Sequence, residues 1–256
     1  MNVEGFVEAA WIKRLDSFRP AAPKLVERRG LLRRTDTKFI TRPEQIPEFL
    51  RAIKHDYGVL RAEDTSLAEY KTIYFDTPNR RCYHDHRRGR RARHKVRIRH
   101  YPDRRLSYLE VKTKTNGSVT VKHRSSRGFL DNEMSSEDWA FVSSHTDLPT
   151  DLLEPLLWVE FRRLTLVGLE IEERITIDRD LVFRSADAEH SLPGVAVIEI
   201  KQQPYSARTP STLALRRAGV RRASISKYCV GTLVGYDNVR STSFAQTLKH
   251  LERLRG

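Results

Sequence analysis

From about Tyr70 to Arg127, apolar and polar residues alternate with a period of two. The alternation predicts strands at 70–75, 91–101, 106–114 and 118–124, with Asn116-Gly117 as a hairpin turn before the last of them. It resumes at 156–163, 168–178 and 195–201. On either side the period lengthens to that of a helix. Phe6, Val7, Ala10, Trp11 and Leu15 repeat at helical spacing until Pro20 and Pro23 interrupt them, so residues 1–24 read as an N-terminal arm or short helix. Thr41-Arg42-Pro43-Glu44 has capping-box spacing, and Ile46, Phe49, Leu50 and Ile53 follow on one face. Further helices are expected after Ser135 or Ser136, at 211–218 behind Pro210, at 225–235, and at 242–255 with Phe244, Leu248 and Leu251 as its stripe. Residues 25–256 thus form one α+β domain with a mainly antiparallel sheet and C-terminal helices.

What fills the polar positions matters more than the alternation itself. In Arg91-Ala92-Arg93-His94-Lys95-Val96-Arg97-Ile98-Arg99 every odd residue is a cation, and odd residues share one face of a strand. Glu110, Lys112 and Lys114 share a face opposite Leu109 and Val111. Thr120, Lys122 and Arg124 do the same, as do Glu170, Glu172 and Arg174, then Glu199 and Lys201, and Arg34, Asp36 and Lys38. An open sheet would leave these faces in water. Closed into a barrel, the charges would line a lumen and the apolar faces would lie under the helices. Unpaired charges inside would cost several kcal/mol each, so such a lumen calls for an anionic occupant, with Lys as point charges and Arg as forks.

Composition agrees. Lys plus Arg number 47 against 33 Asp plus Glu, a net charge of +14, which implies an anionic partner: nucleic acid, anionic membrane or polyphosphate. No run of about 18 apolar residues is present and the first residues lack a signal-peptide pattern, so a soluble, cytoplasmic protein is expected. Cys82 and Cys229, the two cysteines, are too few for a disulfide framework or a thiolate zinc site.

Several stretches together resemble the triphosphate tunnel metalloenzyme superfamily, and within it the VTC branch, the polyphosphate polymerase domain of the vacuolar transporter chaperone family. They are Arg-Thr-Asp-Thr-Lys-Phe (34–39), Tyr-Phe-Asp-Thr-Pro (74–78), Lys-Val-Arg-Ile-Arg (95–99), Leu-Glu-Val-Lys-Thr-Lys (109–114), Val-Lys-His-Arg (121–124), Glu-Arg-Ile-Thr-Ile-Asp (173–178), Val-Ile-Glu-Ile-Lys (197–201) and Ser-Lys-Tyr (226–228). The resemblance implies an eight-stranded antiparallel tunnel barrel with a charged lumen. It also implies transfer of the γ-phosphate of ATP to phosphate or polyphosphate, with Mn2+ or Mg2+. Lys38, Arg97, Arg99, Lys112, Lys122, Arg174 and Lys227 would grip phosphates, Ser226 would add a hydroxyl contact, and Glu199 would hold the metal. Lys38, Arg97, Arg99, Lys112 and Glu199 would be the catalytic set. Arg34, Lys95, Lys114, Arg124 and Lys201 are further cations on the same faces. Glu110 and Glu172 are further carboxylates for a metal. Family spacing prefers Arg163 over Arg162 as a phosphate contact, while alternation leaves the choice open. Asp36 stands where the family usually has Glu, and Phe161 where Tyr is common.

Triphosphatases of this fold typically carry a Glu-x-Glu-x-Lys strand, and here that face reads Arg34, Asp36, Lys38. Fewer carboxylates favour transfer over hydrolysis. Three other readings stay open: a hydrolase, a polyphosphate-binding sensor without turnover, and a nucleic-acid-binding module. The last would place aromatics among the cations, where aliphatic residues and Glu stand instead. Arg87-Arg88-Gly89-Arg90-Arg91 reads as a solvated loop leading into the strand, with an RNA- or DNA-binding patch, or a patch steering polyanions to a tunnel mouth, as the alternatives. Tyr70, Tyr74 and Phe75 read as core, and His84 and His86 lack a third metal ligand.

Overall fold

The computed structural model describes residues 11, 13–30, 35–61, 65–115 and 120–255. Arg34, the Asn116-Gly117 turn and Phe6, Val7 and Ala10 lie outside the described residues.

The strands are β1 (Arg19–Pro20), β2 (Thr35–Thr41), β3 (Tyr57–Val59), β4 (Leu67–Asp76), β5 (Arg93–Tyr101), β6 (Leu106–Lys114), β7 (Thr120–Arg127), β8 (Glu154–Gly168), β9 (Glu173–Arg184), β10 (Glu189–Leu192) and β11 (Ala196–Gln202). Eight of them form one antiparallel row in the order β2-β11-β9-β8-β4-β5-β6-β7, while β1, β3 and β10 are short additions. The helices are α1 (Pro23–Arg28), α2 (Ile46–Ile53), α3 (Arg81–Arg87), α4 (Ser136–His145), α5 (Pro210–Arg217), α6 (Lys227–Gly235) and α7 (Ala245–Arg255). The fold is α+β with a large antiparallel sheet. Closure into a barrel is not seen: among the described residues the edge strands β2 and β7 do not pair with each other.

The register sorts each strand into two faces. Across the row, Phe39 meets Ile198, which meets Ile177, and Leu164 meets Ile177 in turn. This outer face packs on Ile46, Phe49, Leu50 and Ile53 of α2, together with Trp11, Leu15 and Phe18. Each such side chain, fully buried, contributes roughly 1.5–3 kcal/mol. Farther along, Ile73, Phe75, Val96, Ile98, Leu109 and Val111 make a second outer-face core with Val142 and Trp139 of α4, whose N-cap is Ser135. The helix before Ile46 begins as a 3-10 turn at Pro43–Gln45, and Gln45, rather than Glu44, accepts from Thr41 Oγ1 and the Arg42 amide.

One expected strand is shorter than the alternation suggested. β8 ends at Gly168 and β9 begins at Glu173, with residues 169–172 forming the turn. A Cβ on Gly168 would sit 2.2 Å from the Ile171 carbonyl oxygen, so this tight reversal needs glycine. Glu170 and Glu172 therefore belong to a turn and not to the charged face of β9.

Candidate active site

The opposite face of the row carries the charges. Lys38 pairs with Glu199, Asp36 with Lys201, and Lys201 with Arg174. Arg163 pairs with Asp178, Arg97 with Glu110, Lys95 with Lys112, Lys112 with Lys122, and Glu110 with Arg124. Lys114 lies beside Arg93 on the same face, and Arg99 beside Tyr108.

This face is concave. Lys38 on β2 and Lys95 on β5 reach consecutive residues, Lys38 Nζ donating to the Ile225 carbonyl and Lys95 Nζ to Ser226 Oγ. The two strands stand five places apart in the row. Flat strands about 4.8 Å apart would hold them more than about 20 Å from each other, so the sheet curls into a trough.

The segment before α6 reaches across the trough. Arg222 bridges Phe39, and the Ala223 amide donates to the Lys38 carbonyl, extending the edge at β2. Lys38 Nζ donates to the Ile225 carbonyl at 2.8 Å, and Lys95 Nζ donates to Ser226 Oγ at 2.9 Å. Ser226 is also the N-cap of α6, accepting from the Cys229 amide. Lys227 then turns to Asp178. α6 packs on the β8–β9 side of one end of the trough, where a Cβ on Gly231 would meet Leu157 and Phe183 at 2.5 Å. Asp76, fully buried, fixes this arrangement. It accepts from the amides of Thr77, Cys82 and Tyr83 and from Tyr228 Oη, tying β4, α3 and α6 together.

The inner carboxylates are each engaged. Asp178 receives a fork from Arg163, at 2.5 and 2.7 Å, and Lys227 on the same group. Burial opposes its ionisation, but Arg163 and Lys227 overcome this and hold its carboxyl at about 2. Glu110 lies between Arg97 and Lys122, and Glu199 contacts Lys201, which also approaches Asp36 at 3.8 Å. At Glu199 burial is again outweighed, here by Lys201, Lys38 and Arg163, so the carboxyl sits well below its usual range.

The cations outnumber Asp36, Glu110, Asp178 and Glu199, and the excess is visible in their chemistry. Burial, then Lys95, Arg97 and Lys38, push Lys112 down to about 8. Lys95 is also lowered, chiefly by burial. Tyr74 donates no charge of its own, yet it responds to the same field. Burial would raise it, and Arg97, Arg99 and Lys95 bring it down to about 8. Arg97 donates to Tyr74 Oη at 3.1 Å, and Arg99 to Thr72 Oγ1.

Aromatic rings support several of these cations from the same face. Arg163 lies 4.8 Å from the Tyr70 ring and Lys227 4.5 Å from the Phe161 ring, with Tyr70 and Phe161 stacked at 5.1 Å. Tyr70 and Tyr74 are thus buried but line the charged side, where the alternation counted only aliphatic neighbours.

The structure brings Lys38, Lys95, Arg97, Arg99, Lys112, Lys114, Lys122, Arg124, Arg163, Arg174, Glu199, Lys201, Ser226, Lys227 and Glu110 to one concave surface. It separates Glu172, whose side chain is 57% exposed in the 169–172 turn and reaches Arg29 at 3.8 Å. Between the two neighbouring arginines it selects Arg163, since Arg162 points outward to Asp180 at 2.8 Å. On β8 the alternation is unbroken, with Leu157, Val159, Phe161 and Arg163 on the inner face; the irregularity opposite Phe161 lies on β9, at Asp180 with a φ of 54°. Sequence reasoning missed Asp178, although it follows Arg174 at the right spacing, and Asp76, whose role had no local signal.

The chain belongs to the VTC domain family, whose model matches residues 33–236. That family is a branch of the triphosphate tunnel metalloenzymes, enzymes that act on triphosphates with a divalent metal. No curated protein matches the chain in sequence. Among solved structures, an adenylyl cyclase candidate from Hippeastrum with a dominant triphosphatase activity is 11% identical, with 80% of this chain and 98% of that chain covered and a TM-score of 0.45. A Pyrococcus horikoshii protein is 13% identical, with 78% and 98% covered and a TM-score of 0.44. These are likenesses of outline, and the functional reading rests on the family and on the chain's own residues.

The residues present suit a metal held jointly with substrate. The described residues contain no group of three His, Cys, Asp or Glu able to hold an ion by themselves. Mg2+ characteristically takes one or two carboxylates and completes its shell with water and phosphate oxygens. Glu199, ionised and adjoining Lys38, fits that role, with Asp36 on the other side of Lys201. No helix among the described residues is long and apolar enough to cross a membrane.

Proposed function

We propose that the trough is the wall of a phosphate-binding tunnel. In this reading the protein is a metal-dependent polyphosphate polymerase that transfers the γ-phosphate of ATP to phosphate or to a polyphosphate end. The observation that carries this reading is the surplus of inward cations over inward carboxylates, each carboxylate already engaged by Lys or Arg. Such a surface is short of negative charge, and a row of phosphates supplies it. The curled row β2 to β7 and the crossing segment 222–228 would together encircle the chain.

Phosphoryl transfer needs alignment and charge neutralisation more than a covalent group. Lys38, Arg97, Arg99 and Lys112 would hold the triphosphate extended, with Lys95, Lys114, Lys122, Arg124, Arg163, Arg174, Lys201, Ser226 and Lys227 gripping the flanking phosphates. An acceptor phosphate oxygen attacks the γ-phosphorus while the bond to the β-phosphate oxygen breaks, and ADP leaves. The acceptor is already anionic at neutral pH, so no dedicated base is required. Glu199 would hold Mn2+ or Mg2+, which when bound supplies Lewis-acid charge neutralisation at phosphate oxygens. Arg34 and Asp36 standing where a triphosphatase strand carries two Glu leaves fewer carboxylates for additional metal ions, which favours transfer over hydrolysis. A cytoplasmic setting, where ATP is supplied, belongs to the same proposal.

The test is incubation with ATP, Mn2+ and a short polyphosphate primer, following chain growth and ADP. Growth that disappears in Lys38→Ala and Glu199→Ala supports the polymerase. Orthophosphate release without growth identifies a hydrolase, and tight polyphosphate binding without turnover identifies a sensor.

A further inference from the structure

The basic run Arg87-Arg88-Gly89-Arg90-Arg91 lies outside the trough residues, and its placement gives it a use. It leaves the C-terminal end of α3 and runs directly into β5, whose inner-face cations begin at Arg93 and continue through Lys95, Arg97 and Arg99. Alternate residues of a strand stand about 6.7 Å apart, so these four form an evenly spaced row. α3 lies against β4 and β5 at this end. Beside it Lys112 is exposed and Arg93 and Lys114, opposite each other, are half-buried, so the β5–β6 side of this end is an open mouth.

The run is built to face outward. Gly89 takes a φ of +66° with open space around it, turning the chain sharply after α3. Arg88, Arg90 and Arg91 are exposed. Arg93 donates to the Arg90 carbonyl at 2.7 Å, joining the loop to the start of the row. Beside the loop is a pocket of about 280 Å3 lined by Asn79, Arg81, His84, Asp85, Arg88 and Arg90. Asp85, largely buried, accepts from Arg90 at 3.1 Å and neutralises part of this charge. His84 Nδ1, on a residue lining this pocket, is buried without a hydrogen-bond partner.

We infer that this loop and pocket are an external track for a polyphosphate chain, continuous with the row on β5 and engaged only by chains long enough to emerge at the α3 mouth. The inference rests on the phosphate-chain reading of the trough and adds a chain-length preference to it. A tripolyphosphate is satisfied by the inner cations alone, whereas a long chain also meets Arg88, Arg90 and Arg91. Charge density without base-stacking rings on the loop favours polyphosphate over nucleic acid.

The test measures binding by the full chain, without ATP, to long-chain polyphosphate and to tripolyphosphate, so that it stands whether or not turnover occurs. The variants are R88S/R90S/R91S and R88K/R90K/R91K. Long-chain affinity should fall about tenfold in the serine variant, with a shallower salt dependence, and return in the lysine variant. Tripolyphosphate affinity should be little changed in both. Unchanged long-chain affinity, or an equal loss for tripolyphosphate, overturns the inference. So does a single-stranded oligonucleotide that binds as tightly as long-chain polyphosphate and weakens equally in the serine variant. Should the triple serine variant melt early, exposed Arg91→Ser alone carries the comparison, with a smaller loss confined to long chains. Absence of chain growth with ATP would count against the polymerase reading and leave this binding result as it stands.

Discussion

Arg162 and Arg163 are consecutive, and they lie in different chemical worlds. Arg162 points to the outer face and meets Asp180 at the rim, and nearby on that face Arg184 meets Glu160 and Glu189. There each cation has an acid close by and water around both. Arg163 points inward and shares Asp178 with Lys227 while resting on Tyr70 and Phe161. The outer face is balanced and the inner face carries a surplus. Charge on the outer face serves solubility. On the inner face it is stored where burial magnifies it and where the chain alone does not neutralise it.

The comparison is tested hardest at Lys38 and Glu199, which pair directly across β2 and β11. Chain growth should fall about 100- to 1000-fold in Lys38→Ala and in Glu199→Gln, the magnitude expected when one group stabilising transition-state charge is lost. Rates measured at saturating ATP and metal check this. Growth that persists in both variants would remove the inner face from the reaction.

Next comes Asp178, a fully buried inner carboxylate. Asp178→Asn leaves Arg163 and Lys227 without their shared counter-charge, and should cost about 3 kcal/mol of stability. Thermal melting reads the loss. Added tripolyphosphate should restore more of the melting temperature in the variant than it adds to the wild type, because phosphate can replace the missing carboxylate. A loss that phosphate does not reduce would mean that these two cations are structural.

How far the sequence reveals this face depends on distance along the chain. Arg93, Lys95, Arg97 and Arg99 were legible because a strand's period is fixed by local geometry. Glu110 was legible as a member of the next charged face, while its register opposite Arg97 came only with the fold. Two features broke the simple period: the extra residue on β9 at Asp180, and the four-residue turn at 169–172 that takes Glu172 away. An alternating pattern passes over both. The contacts of residues 222–228 with Lys38 and Lys95 join segments more than 130 residues apart, and nothing local encodes them. Asp76 looks in sequence like one more polar residue after a strand. Only the fold shows that its carboxylate gathers three amides and a phenol.

A smaller effect separates the two faces by pH. Lys112 and Tyr74 both titrate near 8 on the inner face. Above that pH Lys112 loses its charge and Tyr74 gains a negative one, so tripolyphosphate affinity should fall several-fold between about pH 7 and 9. Stability of the unliganded protein should move the other way. Both groups have folded pKa values below their unfolded ones, so the unfolded chain binds more protons between about pH 8 and 10, and their contribution to stability rises with pH there. Tyr74→Phe should flatten part of the affinity profile. A profile identical in Tyr74→Phe and Lys112→Arg would place the titration elsewhere.

The smallest expected effect is the sharpest control. Arg162→Ala removes an outer ion pair with Asp180, of a kind worth at most about 1 kcal/mol in water. Polyphosphate affinity and chain growth should be nearly unchanged. Arg163→Ala, one residue along, removes a fork from Asp178 and a cation from the trough, and growth should drop at least about tenfold. The two variants differ in position by one residue, so general effects of lost net charge cancel between them. Equal losses would mean that total charge, and not the inward face, sets phosphate binding. A loss confined to Arg163→Ala ties the chemistry to the side of the sheet on which the arginine falls.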